Sequence, residues 1–384
     1  MCYPIYIAGR KPPAREMGPL KTFALLMLFC SSLYAQDGAG AFADLSARAS
    51  AARQANDVPR AIALYRQALQ LNPKWEEGWW FLGTLLYDSD RYAPGRDALR
   101  HFVGLQPNAA PALGLLGLCE FETGDYPESL KHIERSLSLG APAEPQMDQV
   151  LRYHEAMLLT RTGDFDKALQ KYVWFVRKGA RSSSILLGIG LAALRTPLLP
   201  KDIPPPRQDL FLTAGQASIY TISGDLPNAQ RTFLSLIDRF PESPNVHYVY
   251  GVFLLGADPD RAIDEFKLEL KLAPSNAAAG AMLAWVLLRR GDFKIALPYA
   301  EKAVQSAPGF PTAQLVFGRL LVETGAVDRG IEHLRIAEKL DPANLEVHLG
   351  LVTAYSRIGR TQDARRERRK SMDLSAENAS IAQR

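Results

Sequence analysis

Apolar side chains along this chain fall into short stretches with the three-to-four-residue spacing of one helix face, separated by polar breaks. In residues 76–107 the first stretch runs through Trp79, Trp80, Phe81, Leu82 and Gly83 to Leu86. Asp88 to Arg91 is polar and reads as a turn. A second stretch carries Gly95, Leu99 and Phe102 and ends before Pro107, whose ring and missing N–H cannot continue a helix. Gly83 and Gly95 lie where two helices would approach and leave room for that approach. The pattern predicts a helical hairpin.

The hairpin recurs. Proline stands at Pro73 and Pro107, then at Pro241, Pro274, Pro308 and Pro342, with gaps inside those groups of 34, 33, 34 and 34 residues. A second marker, Gly-Asp, appears at Gly124-Asp125, Gly163-Asp164, Gly224-Asp225 and Gly291-Asp292, and continues as Gly325 and Gly359. A fixed period of this length marks a stack of supersecondary units. Residues 79–86 supply Trp79, Leu82, Gly83 and Leu86; residues 311–342 supply Phe317, Gly318, Leu321, Gly330, Leu334, Ala337 and Pro342. In the same phase come Ala61, Tyr65 and Ala68, then Ala168, Tyr172 and Phe175, then Ala229 and Phe233, then Gly251, Ala262 and Phe266, then Leu283, Ala284, Ala296 and Ala303. The set resembles the tetratricopeptide repeat (TPR) family, with Leu86 where the family has Tyr. The resemblance implies an all-α fold, a right-handed α-solenoid of about nine to ten helix-turn-helix units.

Residues 42–195 are expected to form an N-terminal array and 209–373 a C-terminal array, followed by a polar tail at 374–384. Between the arrays, Ser182–Arg195 reads as a first helix, but its partner is replaced by a segment holding Pro197, Pro200 and Pro204 to Pro206. Proline removes backbone donors and favours extended chain, so 196–208 is expected to be a break; a degenerate repeat with a surface loop is the alternative. Thr361 to Met372 carries Arg365, Arg366, Arg368, Arg369 and Lys370 against Asp363 and Glu367. A polar outer face is what the end of a solenoid requires, and an acidic partner at Arg365–Lys370 is the other reading.

Charge changes the picture near the N-terminus. The chain has 45 basic and 41 acidic residues, and Arg10, Lys11, Arg15 and Lys21 oppose only Glu16 in the first 35 residues. The remainder is nearly neutral, which disfavours nucleic-acid binding, since that depends on neutralising phosphates. Residues 1–35 read as a leader, with Lys21, an apolar run from Thr22 to Phe29, and Ala35 as a cleavage point; Met17 is a candidate start. The run is too short to span a bilayer, and no later stretch is long enough, so an exported protein, periplasmic or secreted, is expected. Cys30 raises lipidation, although Phe29 before it is not the small residue such sites carry. Cys119 reads as a small core residue.

Candidate chemistry is sparse. The six histidines are never spaced i, i+4, and no zinc, EF-hand or Walker pattern occurs, so no metal and no cofactor is expected. Gly188-Ile-Gly190 has part of the spacing of a dinucleotide loop but lies inside a helical pattern with no strand before it. Repeats leave no segment of domain size for an enzyme fold, so the protein is expected to be non-enzymatic. In the family it resembles, first helices line an inner surface that holds peptide segments. Carried onto this sequence, that face presents Trp80, Phe81, Tyr87, Phe121, Tyr153, Met157, Tyr248 and Trp285. The family's carboxylate clamp is missing: Ser46, Ser50, Phe81, Pro111 and Leu115 stand in its places. The expected function is a protein-binding scaffold, with a structural part of a secretion, polysaccharide-export or pilus complex as the alternative.

Overall fold

The computed structural model describes residues 39–140 and 145–382, all of whose regular structure is helical. The leader, its candidate start Met17 and Cys30 lie outside the described residues. Helices α1 (39–54), α2 (Val58–Leu71), α3 (Glu76–Tyr87), α4 (Tyr92–Leu105), α5 (Ala110–Glu122) and α6 (Tyr126–Leu139) are followed by α7 (Pro145–Thr162), α8 (Phe165–Arg177) and α9 (Ser183–Ala193). After two single 3-10 turns come α10 (Gln208–Ile222), α11 (Leu226–Arg239), α12 (Val246–Leu254), α13 (Pro259–Leu272), α14 (Ala277–Arg290), α15 (Phe293–Ser306), α16 (Pro311–Glu323), α17 (Val327–Leu340), α18 (Leu345–Arg357) and α19 (Thr361–Ala382). The chain forms two compact units, one ending at Leu151 and the other starting at Arg152.

The two sequence markers have separate mechanical roles. Gly124, Gly163, Gly224, Gly291, Gly325 and Gly359 all have left-handed φ, from 72° to 93°, and end the first helix of a hairpin. Without a Cβ this conformation costs nothing. The aspartate of the Gly-Asp marker precedes the next helix, and at Asp225 it also caps it, Oδ1 accepting from the Asn228 N–H at 3.3 Å. Asp57 and Asp258, which follow no glycine, cap α2 and α13 in the same way, whereas Asp125, Asp164 and Asp292 make no side-chain cap bond. The proline between hairpins has a partner too. The residue six positions later donates to its carbonyl, as seen for Trp79 to Pro73 (2.8 Å), His247 to Pro241 (3.1 Å), Gln314 to Pro308 (2.7 Å) and His348 to Pro342 (3.0 Å).

In the first unit, Ala61, Ile62, Tyr65, Leu82, Leu86 and Ala98 form one core, with Trp75 and Phe81 against it. Gly83 faces Leu99, and a Cβ there would stand 2.7 Å from Leu99 Cγ, as expected for a close helix crossing. Cys119 is fully buried, and burial pushes its thiol up to about 12. In the second unit a core runs from Leu191 through Phe211, Phe233, Tyr250 and Phe266 to Leu321.

Segment 196–208 has no second helix, in line with its prolines, yet it does not part the helices on either side. Backbones meet directly across it: a Cβ on Gly190 would collide with the Phe211 carbonyl, and one on Gly215 with the Leu186 carbonyl. Gly188 makes room for the Tyr172 hydroxyl. The two glycines with dinucleotide-loop spacing are therefore packing positions.

Candidate functional site

The aromatic residues placed by repeat phase on the first helices have different surroundings. In the first unit, Trp80 is half-buried and tilts against Phe102 at 5.5 Å. Phe81 lies beneath the Arg53 guanidinium, 3.7 Å from its ring centroid. Tyr87 is half-buried, edge-on to Tyr92, and burial raises its phenol above the ordinary value. Phe121 is buried in the packing of α5, with Tyr126 at 5.7 Å.

In the second unit, Tyr153 is half-buried and donates to the Ser184 carbonyl at 3.4 Å. Met157 and Tyr248 are buried. Trp285 is half-buried, with the Arg289 guanidinium 4.9 Å from its ring. The structure thus keeps an exposed portion on Trp80, Phe81, Tyr87, Tyr153 and Trp285. It draws Phe121, Met157 and Tyr248 between helices, where their apolar area leaves water.

A cleft of about 860 Å³ with a mixed polar and apolar lining lies within the second unit. Its wall is built from successive repeat junctions, at 244–245, 273 and 275–278, 307 and 309–312, and 340, 341 and 344, with 162–167, Gln170 and Arg195. Arg195 ends α9 in the left-handed conformation, φ 48°. Six other first helices end there on glycine, and α1 and α3 on Asn56 and Asp90, while α12 ends without a left-handed residue. For an arginine the conformation costs on the order of 1 kcal/mol. The turn itself is ordinary, closed by hydrogen bonds from Arg195 N to Ala192 O and from Thr196 N to Leu191 O.

What offsets the strain is visible around the side chain. The guanidinium lies 5.0 Å from the centroids of both Phe165 and Phe310 and 5.7 Å from that of Tyr248. Stacking a cation on ring faces is favourable, more so when water is excluded. Nη1 pairs with Asp166 Oδ1 at 3.1 Å; the Arg195 side chain is only 14% exposed, whereas Asp166 is 53% exposed. Tyr248, placed by phase on an inner surface, instead forms part of the seat for Arg195.

Other cleft residues are engaged in holding its wall. Asn245 Nδ2 donates to the Leu194 carbonyl (2.9 Å), and its Oδ1 accepts from Asn276 Nδ2 (2.9 Å). Asn276 also donates to the fully buried Glu269 (2.9 Å) and caps α14 at Ala279 N (3.1 Å). Asn344 donates to Asp341 (3.1 Å), and Lys167 pairs with Asp164 (2.7 Å). Neither Arg195 nor Phe310 stood out in sequence, yet both break repeat phase: Arg195 replaces the left-handed glycine, and Phe310 replaces the capping asparagine found at Asn276 and Asn344.

A second polar cluster joins the last helix to the repeat before it. Glu367 is fully buried and meets His348 (2.9 Å), Arg335 (3.2 Å) and Lys370 (3.4 Å). Burial alone would raise its carboxyl, but the His348 hydrogen bond and the two cations hold it below the ordinary value. Glu338, His348 and Glu367 bring three metal-ligand atoms within 4.8 Å of one another. Arg335 and Lys370 already neutralise both carboxylates there. Of the basic run on α19, Arg366 and Lys370 belong to ion pairs, while Arg365, Arg368 and Arg369 are exposed.

No curated protein sequence matches the chain. Among solved structures, MamA (residue 41 to the end) from Desulfovibrio magneticus RS-1 is 26% identical over 44% of this chain and 96% of its own, with a TM-score of 0.38. YrrB, described as a TPR protein with an unusual peptide-binding site, is 21% identical over 41% of this chain and 82% of its own, with a TM-score of 0.35. The tetratricopeptide repeat model matches residues 46–100, 82–146, 153–205, 223–277 and 281–345, more than half of the chain. With its glycine-ended first helices and junction prolines beside that match, the chain belongs to the tetratricopeptide repeat family.

Proposed function

We propose that this protein is a non-enzymatic scaffold that binds partner proteins through segments laid along its repeats. The observation that carries this reading is the cleft of about 860 Å³ in the second unit, walled by four successive repeat junctions. A wall built from repeats presents similar groups at regular intervals, which suits an extended chain. The partly exposed rings of Trp80, Tyr87, Tyr153 and Trp285 offer further contact area at low entropic cost. The leader-like composition of residues 1–35 supports export, to a periplasm or outside the cell, as part of the same proposal. No helix among the described residues is long and apolar enough to cross a membrane.

The test uses residues 36–384 as bait in an envelope extract, with a Trp80→Ala/Tyr153→Ala variant of unchanged helicity beside it. Capture of a discrete protein by the wild-type chain supports the scaffold reading, and loss of capture in the variant places contacts on the first-helix rings. Retention by both puts the contact elsewhere, at the cleft or at the exposed Arg365, Arg368 and Arg369. If no protein is retained at any salt concentration, the scaffold reading falls.

A further inference from the structure

We infer that the cleft binds a carboxylate of a peptide segment on Arg195, in exchange for Asp166. This rests on the scaffold reading for its ligand class, and on the geometry of one side chain for its chemistry. Arginine is the costly choice at the end of α9, where six other first helices have glycine. Its guanidinium is fixed by Phe165, Phe310 and Tyr248 at 5.0, 5.0 and 5.7 Å, so its orientation is set before any ligand arrives. Pre-organisation of this kind reduces the entropy lost on binding.

A guanidinium has five N–H donors in a planar fork matched to a carboxylate. The Asp166 contact, through one oxygen at 3.1 Å, uses one of them. Asp166 is largely in water and its side chain can turn out of the contact, whereas Arg195 cannot turn without leaving three rings. The intramolecular pair therefore acts as a weak competitor on a fixed cation. Lys167 is paired with Asp164, which leaves Arg195 as the cleft's rigid cation, while Asp341, hydrogen-bonded by the neutral Asn344, keeps its charge.

The exchange predicts opposite effects for two substitutions. Arg195→Gly restores the residue type found at the equivalent turns and removes the fork. Asp166→Asn removes the competitor and leaves the fork. Fluorescence anisotropy with a labelled octapeptide of alternating glycine and glutamate, amidated at its C-terminus, reads both. Arg195→Gly is expected to weaken binding at least about tenfold, the worth of a charge-assisted pair. Asp166→Asn is expected to tighten it about two- to fivefold, the worth of an exposed ion pair. Arg195→Lys keeps the charge without the planar fork and is expected to fall between wild type and Arg195→Gly.

Two further peptides distinguish the source of the carboxylate: the glutamine counterpart, amidated, and the same glutamine peptide with a free C-terminus. Binding of the glutamate peptide alone assigns a side-chain carboxylate, and binding of the free-terminus peptide assigns a terminal one. Equal binding of all three, or weaker binding by Asp166→Asn, would overturn the inference, the latter by showing that Asp166 positions Arg195 and does not compete for it. If an envelope protein is captured equally by wild type and Arg195→Gly, the inference falls while the scaffold reading stands. If the acidic peptide binds through Arg195 but no protein is captured, the inference stands and the scaffold reading falls.

Discussion

At the scale of single residues, the repeat is held by positions where one atom decides the outcome. Gly190 is the clearest, because its backbone rests against the Phe211 carbonyl with no space for a methyl group. Gly190→Ala is expected to destabilise the second unit by about 3 kcal/mol, the upper range of overpacking, seen as a lower urea midpoint. An unchanged midpoint would mean that α9 and α10 separate more easily than their contact implies. His247 makes a second prediction, in pH. Its Nδ1 meets Glu265 at 2.7 Å and its Nε2 meets the Pro241 carbonyl, so both nitrogens face acceptors and the charged ring satisfies both. The Glu265 hydrogen bond is the main cause that raises its pKa above 6.5. A raised folded value stabilises fully below the unfolded value, and that contribution is lost as pH rises through the folded one. His333, lowered chiefly by burial, has the opposite sign and costs stability as pH falls through 6.5. Urea titrations of wild type and His247→Gln between pH 5.5 and 8.5 are therefore expected to differ most at the acid end and converge at the alkaline end.

At the scale of elements, much of the fold was legible because the repeat uses turn chemistry that sequence displays. Gly-Asp marks a left-handed helix end just before a new helix, and of its four occurrences Asp225 adds a cap: Gly224 has φ 75° and the Asp225 side chain accepts from Asn228 N. Asp225→Ala is expected to cost about 1 kcal/mol, and Asp225→Asn much less, in the stability of α10 and α11. Other features were hidden because they depend on elements distant in sequence. The histidines looked isolated since no two share a helix face, yet His132 finds Glu120, His247 finds Glu265 and His348 finds Glu367 across helix pairs. The prolines of 196–208 signalled a missing helix but not that Gly190 and Gly215 bring α9 directly onto α10. Inner-face assignment by phase alone gave Phe121, Met157 and Tyr248 the same standing as Trp80, because phase gives direction along a helix and not the depth of the neighbour opposite.

At the scale of the whole chain, a repeat array has stability that is approximately a sum of units and nearest-neighbour contacts, so its ends matter locally. Helix α19 closes the last hairpin in two ways. Ala364 joins the core of Leu334, Val347, Leu351 and Tyr355, and Glu367 ties His348, Arg335 and Lys370 together at zero exposure. Removing residues 361–384 uncovers that core and takes Glu367 from His348 Nδ1 and from Arg335, which keeps only Glu338 and the Tyr355 hydroxyl. Hydrogen exchange is expected to show lost protection in α17 and α18, weaker loss in α16, and none in α2 to α6. Acid should reproduce part of this without truncation. The Glu338 and Glu367 carboxyls are held below their ordinary value by Arg335, Lys370 and, for Glu367, His348, despite burial that acts the other way. A depressed carboxyl stabilises above its unfolded value, and that stabilisation is lost as pH falls through the folded one. The α18–α19 contact should then loosen below about pH 4, where unperturbed carboxyls protonate. Glu367→Gln, which keeps the shape and removes the charge, is expected to lower protection there at neutral pH and to flatten the acid transition. Acid loosening that persists unchanged in that variant would assign it to other carboxylates.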